Sequence, residues 1–78
     1  MGNISLFEAQ LNKEYTVENI LLENPVSRRL EALGVNEGTP IVVMTRKKSG
    51  ALIAKIRGTR LALGKHITSN IEVKEVKA

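Results

Sequence analysis

The sequence predicts a mainly β domain, built as a small barrel of about five short strands with one short helix. Three observations support this class. The chain has 78 residues, 42% of them hydrophobic, which is enough for one small core. Apolar and polar residues alternate over several short segments, as in half-buried strands. One segment, residues 25–33, has helical spacing instead.

The first residues are predicted to be an irregular lead-in, with residues 1–4 as a loose terminus of a single domain covering residues 1–78. Ser5 can cap a single turn. Turn chemistry then predicts a reversal at residues 12–14. Three apolar residues of the lead-in are expected to pack on the domain: Leu6, Ala9 and Leu11.

Residues 15–22 allow two interpretations. Tyr15 and Val17 alternate, and the phase changes before Ile20, so a strand here requires a bulge near residues 18–19. The alternative is a helix, which would form a helix-turn-helix with the next segment. The residue types favour the strand, because β-branched and aromatic side chains are enriched in strands.

The clearest helix is residues 25–33. Asn24 is the expected N-cap, and Pro25 suits the first helical position because its missing N–H costs nothing there. Gly34 is expected to end the helix in the left-handed conformation. The apolar stripe that should face the open end of the barrel is Val26, Leu30 and Leu33.

The next strand follows a turn at residues 36–38. Residues 41–44 are continuously apolar and mostly β-branched, which predicts a strand that is buried on both faces or crosses the interior of a barrel. Residues 46–50 form a charged turn. The following strand is expected to point Leu52, Ala54 and Ile56 inward.

A hairpin is predicted at Gly58-Thr59, with glycine first as a type II′ turn requires. The returning strand points Leu61 and Leu63 inward. Residues 64–69 form a turn, and residues 71–74 close the sheet. The pattern therefore predicts an SH3-like barrel of about five strands, with the helix at about residues 25–33 between strands 1 and 2.

No pattern in the sequence supports catalysis. There is no cysteine and a single histidine, His66, so no transition-metal ligand set can be completed. Glu72 and Glu75 would lie on opposite faces of a strand, and the serines have no recognisable base partner. We therefore expect no catalytic residue, no metal site and no cofactor. No apolar run reaches 18 residues, so we expect no insertion into a membrane.

Charge is unevenly distributed along the chain. Residues 1–39 contain three basic and six acidic side chains, for a net −3, whereas residues 40–78 contain nine basic and two acidic, for a net +7. This asymmetry predicts a basic face for an acidic protein, a nucleic acid or an anionic membrane surface. The alternative is that the cations only occupy solvated strand positions.

Five cations could contact phosphates. They are Arg46, Lys47, Lys48, Arg57 and Arg60, of which the last two would flank the hairpin turn as cross-strand neighbours. Single-strand binding usually adds aromatic stacking platforms. The chain has only Phe7 and Tyr15, both expected in the core. A small nucleic-acid-binding barrel therefore stays an alternative that the composition disfavours.

Residues 27–39 resemble the signature R-R-L-x-x-L-G-L-x-x-G-x-x-[IV] of the FeoA family, the small cytoplasmic component of bacterial ferrous iron uptake. Residues 55–63 are similar to the family's V-x-V-x-G-x-x-[IL]-A-L, and residues 71–73 also fit. The resemblance covers residues 5–76. The positions that carry it are Leu30, Leu33, Gly34, Gly38, Gly58, Leu61 and Leu63.

This resemblance implies an SH3-like barrel, with residues 15–22 as strand. It also implies an accessory or regulatory role in the cytoplasm, exerted by protein contact with FeoB. FeoB is a large ferrous iron permease with a cytoplasmic GTP-binding domain. Candidate partner-binding residues are Arg28, Arg29, Arg57 and Arg60. We also expect that such a barrel can self-associate through its exposed strand edges.

The chain departs from the family pattern at two places. Residues 12–14 lack a glycine that is common there, and Gly64 stands where a basic residue often occurs. The same domain ends some metal-dependent repressors, so a metal-responsive regulatory domain is a further alternative. We expect the transport role, because the sequence contains no helical DNA-binding extension.

Overall fold

The computed structural model describes residues 3–76, whose strands form one antiparallel sheet in the order β1-β6-β2-β3-β4-β5. The elements in chain order are β1 (Ile4–Ser5), a 3₁₀ turn (Leu6–Glu8), β2 (Glu14–Ile20), α1 (Asn24–Ala32), β3 (Pro40–Arg46), β4 (Leu52–Ile56), β5 (Thr59–Leu63), α2 (Lys65–Ser69) and β6 (Ile71–Glu75). The predicted mainly β class is confirmed. Residues 3–76 contain six strands instead of about five, and within them the sheet is not closed, because β1 and β5 are its two edges.

The core lies on one face of this sheet. Its strand residues are Tyr15, Val17, Ile41, Val43, Leu52, Ala54, Ile56, Leu63, Ile71 and Val73. Their spacing follows the two-residue period of a strand. The predicted bulge in β2 is confirmed by a register shift between Val17 and Asn19 opposite β6. The strand interpretation of residues 15–22 is therefore correct, although the strand ends at Ile20.

Helix α1 begins one residue earlier than predicted. Its N-cap is Glu23, whose carbonyl accepts hydrogen bonds from the amides of Val26 (3.0 Å) and Ser27 (2.9 Å). Asn24 is the first helical residue, and no side chain caps the helix. The N-cap prediction for Asn24 is therefore wrong, because main-chain bonding to Glu23 sets the start of the helix.

The C-terminus of α1 forms a Schellman motif. Gly34 has φ +96°; its amide donates to the carbonyl of Glu31 (3.0 Å), and the Val35 amide donates to that of Leu30 (2.8 Å). These are the two bonds that define the motif, and an apolar contact between the same outer positions often accompanies it. Leu30 and Val35 are accordingly both buried in the core. The predicted glycine end of the helix is confirmed.

The burial of Leu33 is predicted wrongly. Leu30 is only 2% exposed and Val26 packs at the core, but Leu33 is 48% exposed. The chain reverses at Gly34, immediately after Leu33. Val35, which is completely buried, therefore takes the core position that the helical stripe assigns to Leu33.

The β4–β5 turn differs from the prediction by one residue. Ile56 pairs with Thr59, so the two turn residues are Arg57 (φ 51°) and Gly58 (φ 81°). Positive φ at both positions defines a type I′ turn, not the predicted type II′. Arg57 therefore lies in the turn, and the residue opposite Arg60 is Lys55, which corrects the expected cross-strand arginine pair.

Several smaller predictions about burial and local structure are also settled. Leu6, Ala9 and Tyr15 are buried as expected, but Leu11 is 42% exposed and Phe7 is only half-buried. In β3 only alternate residues are fully buried, because the second face of the sheet is partly open to solvent. The turn predicted at residues 64–69 contains the short helix α2.

The predicted loose terminus, residues 1–4, falls partly outside the described residues, because Met1 and Gly2 are not described. Ile4, its last residue, belongs to β1 and pairs with Val73. No helix within residues 3–76 is long and apolar enough to cross a membrane.

The contrast between Leu30 and Leu33 is directly testable. We expect Leu30→Ala to lower the free energy of unfolding by about 2–5 kcal/mol, because it leaves a cavity in the core. Leu33→Ala should change it by no more than about 0.5 kcal/mol. Urea denaturation followed by circular dichroism measures both, and equal losses would contradict the observed end of α1.

Candidate interaction surfaces

The described residues show no cluster of metal-ligating side chains. Within residues 3–76 no group of three histidine, cysteine, aspartate or glutamate side chains lies close enough to hold a metal ion. No buried side-chain nitrogen or oxygen of this range is left without a hydrogen-bond partner. His66 is exposed on α2. The candidate sites are therefore surfaces, and they are defined by exposed apolar and cationic side chains.

The first surface lies where the β4–β5 turn meets the end of α1. A β-carbon built on Gly34 would lie 3.7 Å from Cδ of Arg57, so the Arg57 side chain passes over the helix terminus. Leu33 is exposed beside Gly34. Arg29 precedes Leu33 by four residues and so shares its helix face. We call Arg29, Leu33 and Arg57 the helix-end surface.

Its electrostatics favour an anionic partner. The free carbonyls at a helix C-terminus carry partial negative charge, which makes Arg57 favourable there. The ion pair found within residues 3–76 joins Lys13 and Glu75 at 3.0 Å on the exposed surface, and neither Arg28 nor Arg29 is part of one. Neither arginine is therefore neutralised by a neighbouring carboxylate among the described residues.

The second surface is on the outer face of β3–β5, the face opposite the core. It is an open groove of about 410 Å³, lined by Met44, Thr45, Ile53, Arg60, Leu61 and Ala62. We call it the outer groove. Arg60 lies here beside Lys55, its partner in the β4–β5 register.

The structure thus separates the four arginines proposed for partner binding. Arg57 lies at Gly34 and Arg29 on the Leu33 face of α1, Arg28 is exposed on α1, and Arg60 belongs to the outer groove. The sequence indicated neither the apposition of Arg57 and Gly34 nor the exposure of Leu33. The first depends on where the sheet places the β4–β5 turn, and the second on the direction of the chain after Gly34.

Arg46 has a structural role that the sequence did not indicate. Its guanidinium donates to the carbonyl oxygens of Phe7 (2.9 Å) and Ala9 (2.7 Å). It also lies 6.0 Å from the centre of the Phe7 ring, and Lys65 lies 5.4 Å from the same centre. These contacts hold the N-terminal 3₁₀ turn against β3. Arg46 is therefore less available for phosphate binding than predicted.

Fold and surfaces together define a small SH3-like β domain, and comparison with known proteins identifies its family. The chain belongs to the FeoA family: the model described as FeoA domain matches residues 4–75. Membership implies involvement in ferrous iron transport.

Solved structures agree with this assignment. The FeoA-like protein from Clostridium acetobutylicum is 25% identical with a TM-score of 0.84, over 100% of this chain and 92% of that one. The Stenotrophomonas maltophilia FeoA in complex with zinc, described as a procaryotic SH3 domain protein, is 26% identical with a TM-score of 0.77, over 91% and 89%. The predicted SH3-like fold is confirmed. No curated protein sequence matches the chain in a direct comparison.

The same fold occurs in metal-dependent regulators. A manganese-dependent transcriptional repressor matches with a TM-score of 0.87 and 18% identity, over 95% of this chain but only 42% of the repressor. At this identity the likeness shows a shared fold and carries nothing about function.

The role of Arg46 leads to a stability prediction. We expect Arg46→Met to lower the free energy of unfolding by about 1–3 kcal/mol, because two carbonyls lose a charged hydrogen-bond donor. Lys47→Met, the same change of charge one residue later, should stay within about 0.5 kcal/mol. Urea denaturation of both variants tests this, and equal stabilities would show that the Arg46 contacts contribute nothing.

Proposed function

We propose that this protein is a non-catalytic accessory protein of ferrous iron uptake that acts in the cytoplasm by binding the cytoplasmic part of a FeoB-type transporter. The supporting observation is the helix-end surface, in a chain of the FeoA family. That surface combines an exposed leucine with two arginines that form no ion pair in residues 3–76. Contact with the transporter would modulate transport.

The chemistry of the helix-end surface is that of a protein contact. Leu33 is about half exposed, and covering its free surface would contribute roughly 1 kcal/mol to binding. Arginine is enriched among the residues that dominate interface energies, since it combines apolar surface with a planar set of donors. Arg29 and Arg57 beside Leu33 would therefore select a partner surface that carries carboxylates around an apolar centre.

Two other functions are less favoured. Two observations disfavour nucleic-acid binding. Arg46 is already hydrogen-bonded to main-chain carbonyls. Tyr15 is buried, which leaves no fully exposed aromatic ring for base stacking among residues 3–76. A metal-responsive role would rest on fold likeness to repressors, which does not transfer function.

We expect substitutions in the helix-end surface to weaken binding to the full-length FeoB-type transporter of the same bacterium. Leu33→Gln should raise Kd about fivefold through lost apolar burial. Arg29→Glu should raise it at least tenfold, because it places like charges opposite each other. Isothermal titration calorimetry against the transporter in lipid nanodiscs measures both.

The matched controls are Leu11→Gln, which changes an exposed leucine outside α1, and Lys48→Glu, which reverses a charge in the β3–β4 turn. Both should bind like the parent chain. Uptake of radioactive ferrous iron by cells lacking the protein gives the second test: uptake should fall, and Leu33→Gln should restore it less well than Leu11→Gln. Unchanged uptake together with no measurable binding would refute the proposed function.

A further inference from the structure

The outer groove lies in a part of the chain with charge of one sign only. No aspartate or glutamate occurs between Glu37 and Glu72. The cations in strands β3–β5 and their turns are Arg46, Lys47, Lys48, Lys55, Arg57 and Arg60. Arg60 lines the groove and Lys55 is its neighbour across the β4–β5 pair. Whatever covers this face must therefore supply the carboxylates that the face lacks.

Strand β5 presents unpaired main chain beside this groove. Within residues 3–76, β5 pairs with β4 and with no other strand, so its second edge is open. The two-residue turn places the closing hydrogen bond between Ile56 and Thr59. Antiparallel pairing then alternates, so the N–H and C=O groups of Leu61 face β4 while those of Arg60 and Ala62 face the open edge.

The groove and the open edge form one feature. Arg60, Leu61 and Ala62 are consecutive, and all three line the groove. Because consecutive strand residues point to opposite faces, the main chain of β5 is part of the groove wall. Met44, Ile53 and Ala62 provide its apolar surface. The groove can therefore receive side chains from a strand placed alongside β5.

We propose that β5 and the outer groove bind an extended protein segment whose groove-facing residues, every second one along the strand, include both apolar side chains and carboxylates. The segment adds to the sheet as a strand next to β5 and bonds to the main chain of Arg60 and Ala62. On that face its apolar side chains contact Ala62 and Ile53, and its carboxylates face Arg60 and Lys55. This goes beyond the proposed function, because it uses a different surface and specifies the conformation and charge of the partner.

A second copy of this chain fits the feature poorly. A symmetric pairing of β5 with β5 brings the same surface of both copies together. Both would then be cationic, with no carboxylate between residues 38 and 71 to compensate. A nucleic acid fits no better, because no aromatic side chain lines the groove for base stacking.

Panning a random octapeptide library, displayed on phage, against the full chain tests the proposal. We expect enriched peptides that contain both acidic and large apolar residues, with affinity that falls as salt rises. A synthetic enriched peptide is then added to the ¹⁵N-labelled chain. Hydrogen exchange should slow at the amides of Arg60 and Ala62, by about tenfold or more at saturation, and stay unchanged at Leu61.

Charge reversal distinguishes the groove from the rest of the basic surface. Arg60→Glu should lower peptide affinity at least tenfold, whereas Lys47→Glu, with the same change of charge in the β3–β4 turn, should lower it less than twofold. Both side chains are exposed, and heteronuclear spectra of the free variants check that each is folded. A selection that enriches no sequence, or only basic ones, would overturn the proposal.

Other outcomes also decide the proposal. Equal losses for the two variants, or protection at α1 instead of β5, would overturn strand addition in this groove. Enrichment of peptides matching the chain's own residues 1–39, with concentration-dependent dimerisation in ultracentrifugation, would replace the proposed partner by a second copy. Peptide binding at β5 does not depend on the helix-end surface, so it should persist in Leu33→Gln whether or not the transporter is a partner.

Discussion

The reversal of the chain at Gly34 is the constraint on which the rest of the structure depends. The two hydrogen bonds of the Schellman motif end α1 and turn the chain back into the core with Val35. A residue with a side chain is strained at φ +96°, whereas glycine is not. The same turn leaves Leu33 in solvent and places the helix terminus under the side chain of Arg57. One backbone conformation thereby completes the core and builds a candidate interaction surface.

The basic residues have three different structural roles. Arg46 bonds to main-chain carbonyls and holds the N-terminal 3₁₀ turn. Arg57 lies over the end of α1, where partial negative charge favours it. Arg60 faces outward from an edge strand. Cations on edge strands also hinder indiscriminate pairing with other chains. An edge protected in this way stays accessible to a strand that brings opposite charge.

The family assignment and the surfaces answer different questions. The FeoA match over residues 4–75 establishes kinship and links the chain to ferrous iron transport. The likeness to a manganese-dependent repressor shows that the same fold serves proteins of other architecture. What this chain contacts therefore depends on side chains outside the shared core. The helix-end surface and the outer groove each combine exposed apolar side chains with cations.

Local sequence pattern determined most of the fold. Alternation identified β4 and β6, the phase change before Ile20 indicated the bulge in β2, and Gly34 marked the end of the helix. These features depend on periodicity and on backbone conformations that few residues adopt, and both are visible in one segment at a time. The errors at the N-cap and at the β4–β5 turn were each one residue, which is the usual uncertainty of element ends.

Only the tertiary structure decided which exposed groups come together. Leu33 and Val35 compete for one core position, and the direction of the chain after Gly34 selects Val35. Arg46 reaches Phe7 and Ala9 across more than thirty residues, and Arg57 reaches Gly34 from the β4–β5 turn. Such contacts depend on strand order and turn register, which no single segment encodes. The sequence by itself thus determined the class of fold and the excess of positive charge. The packing of the sheet determined where the positively charged side chains lie beside apolar ones.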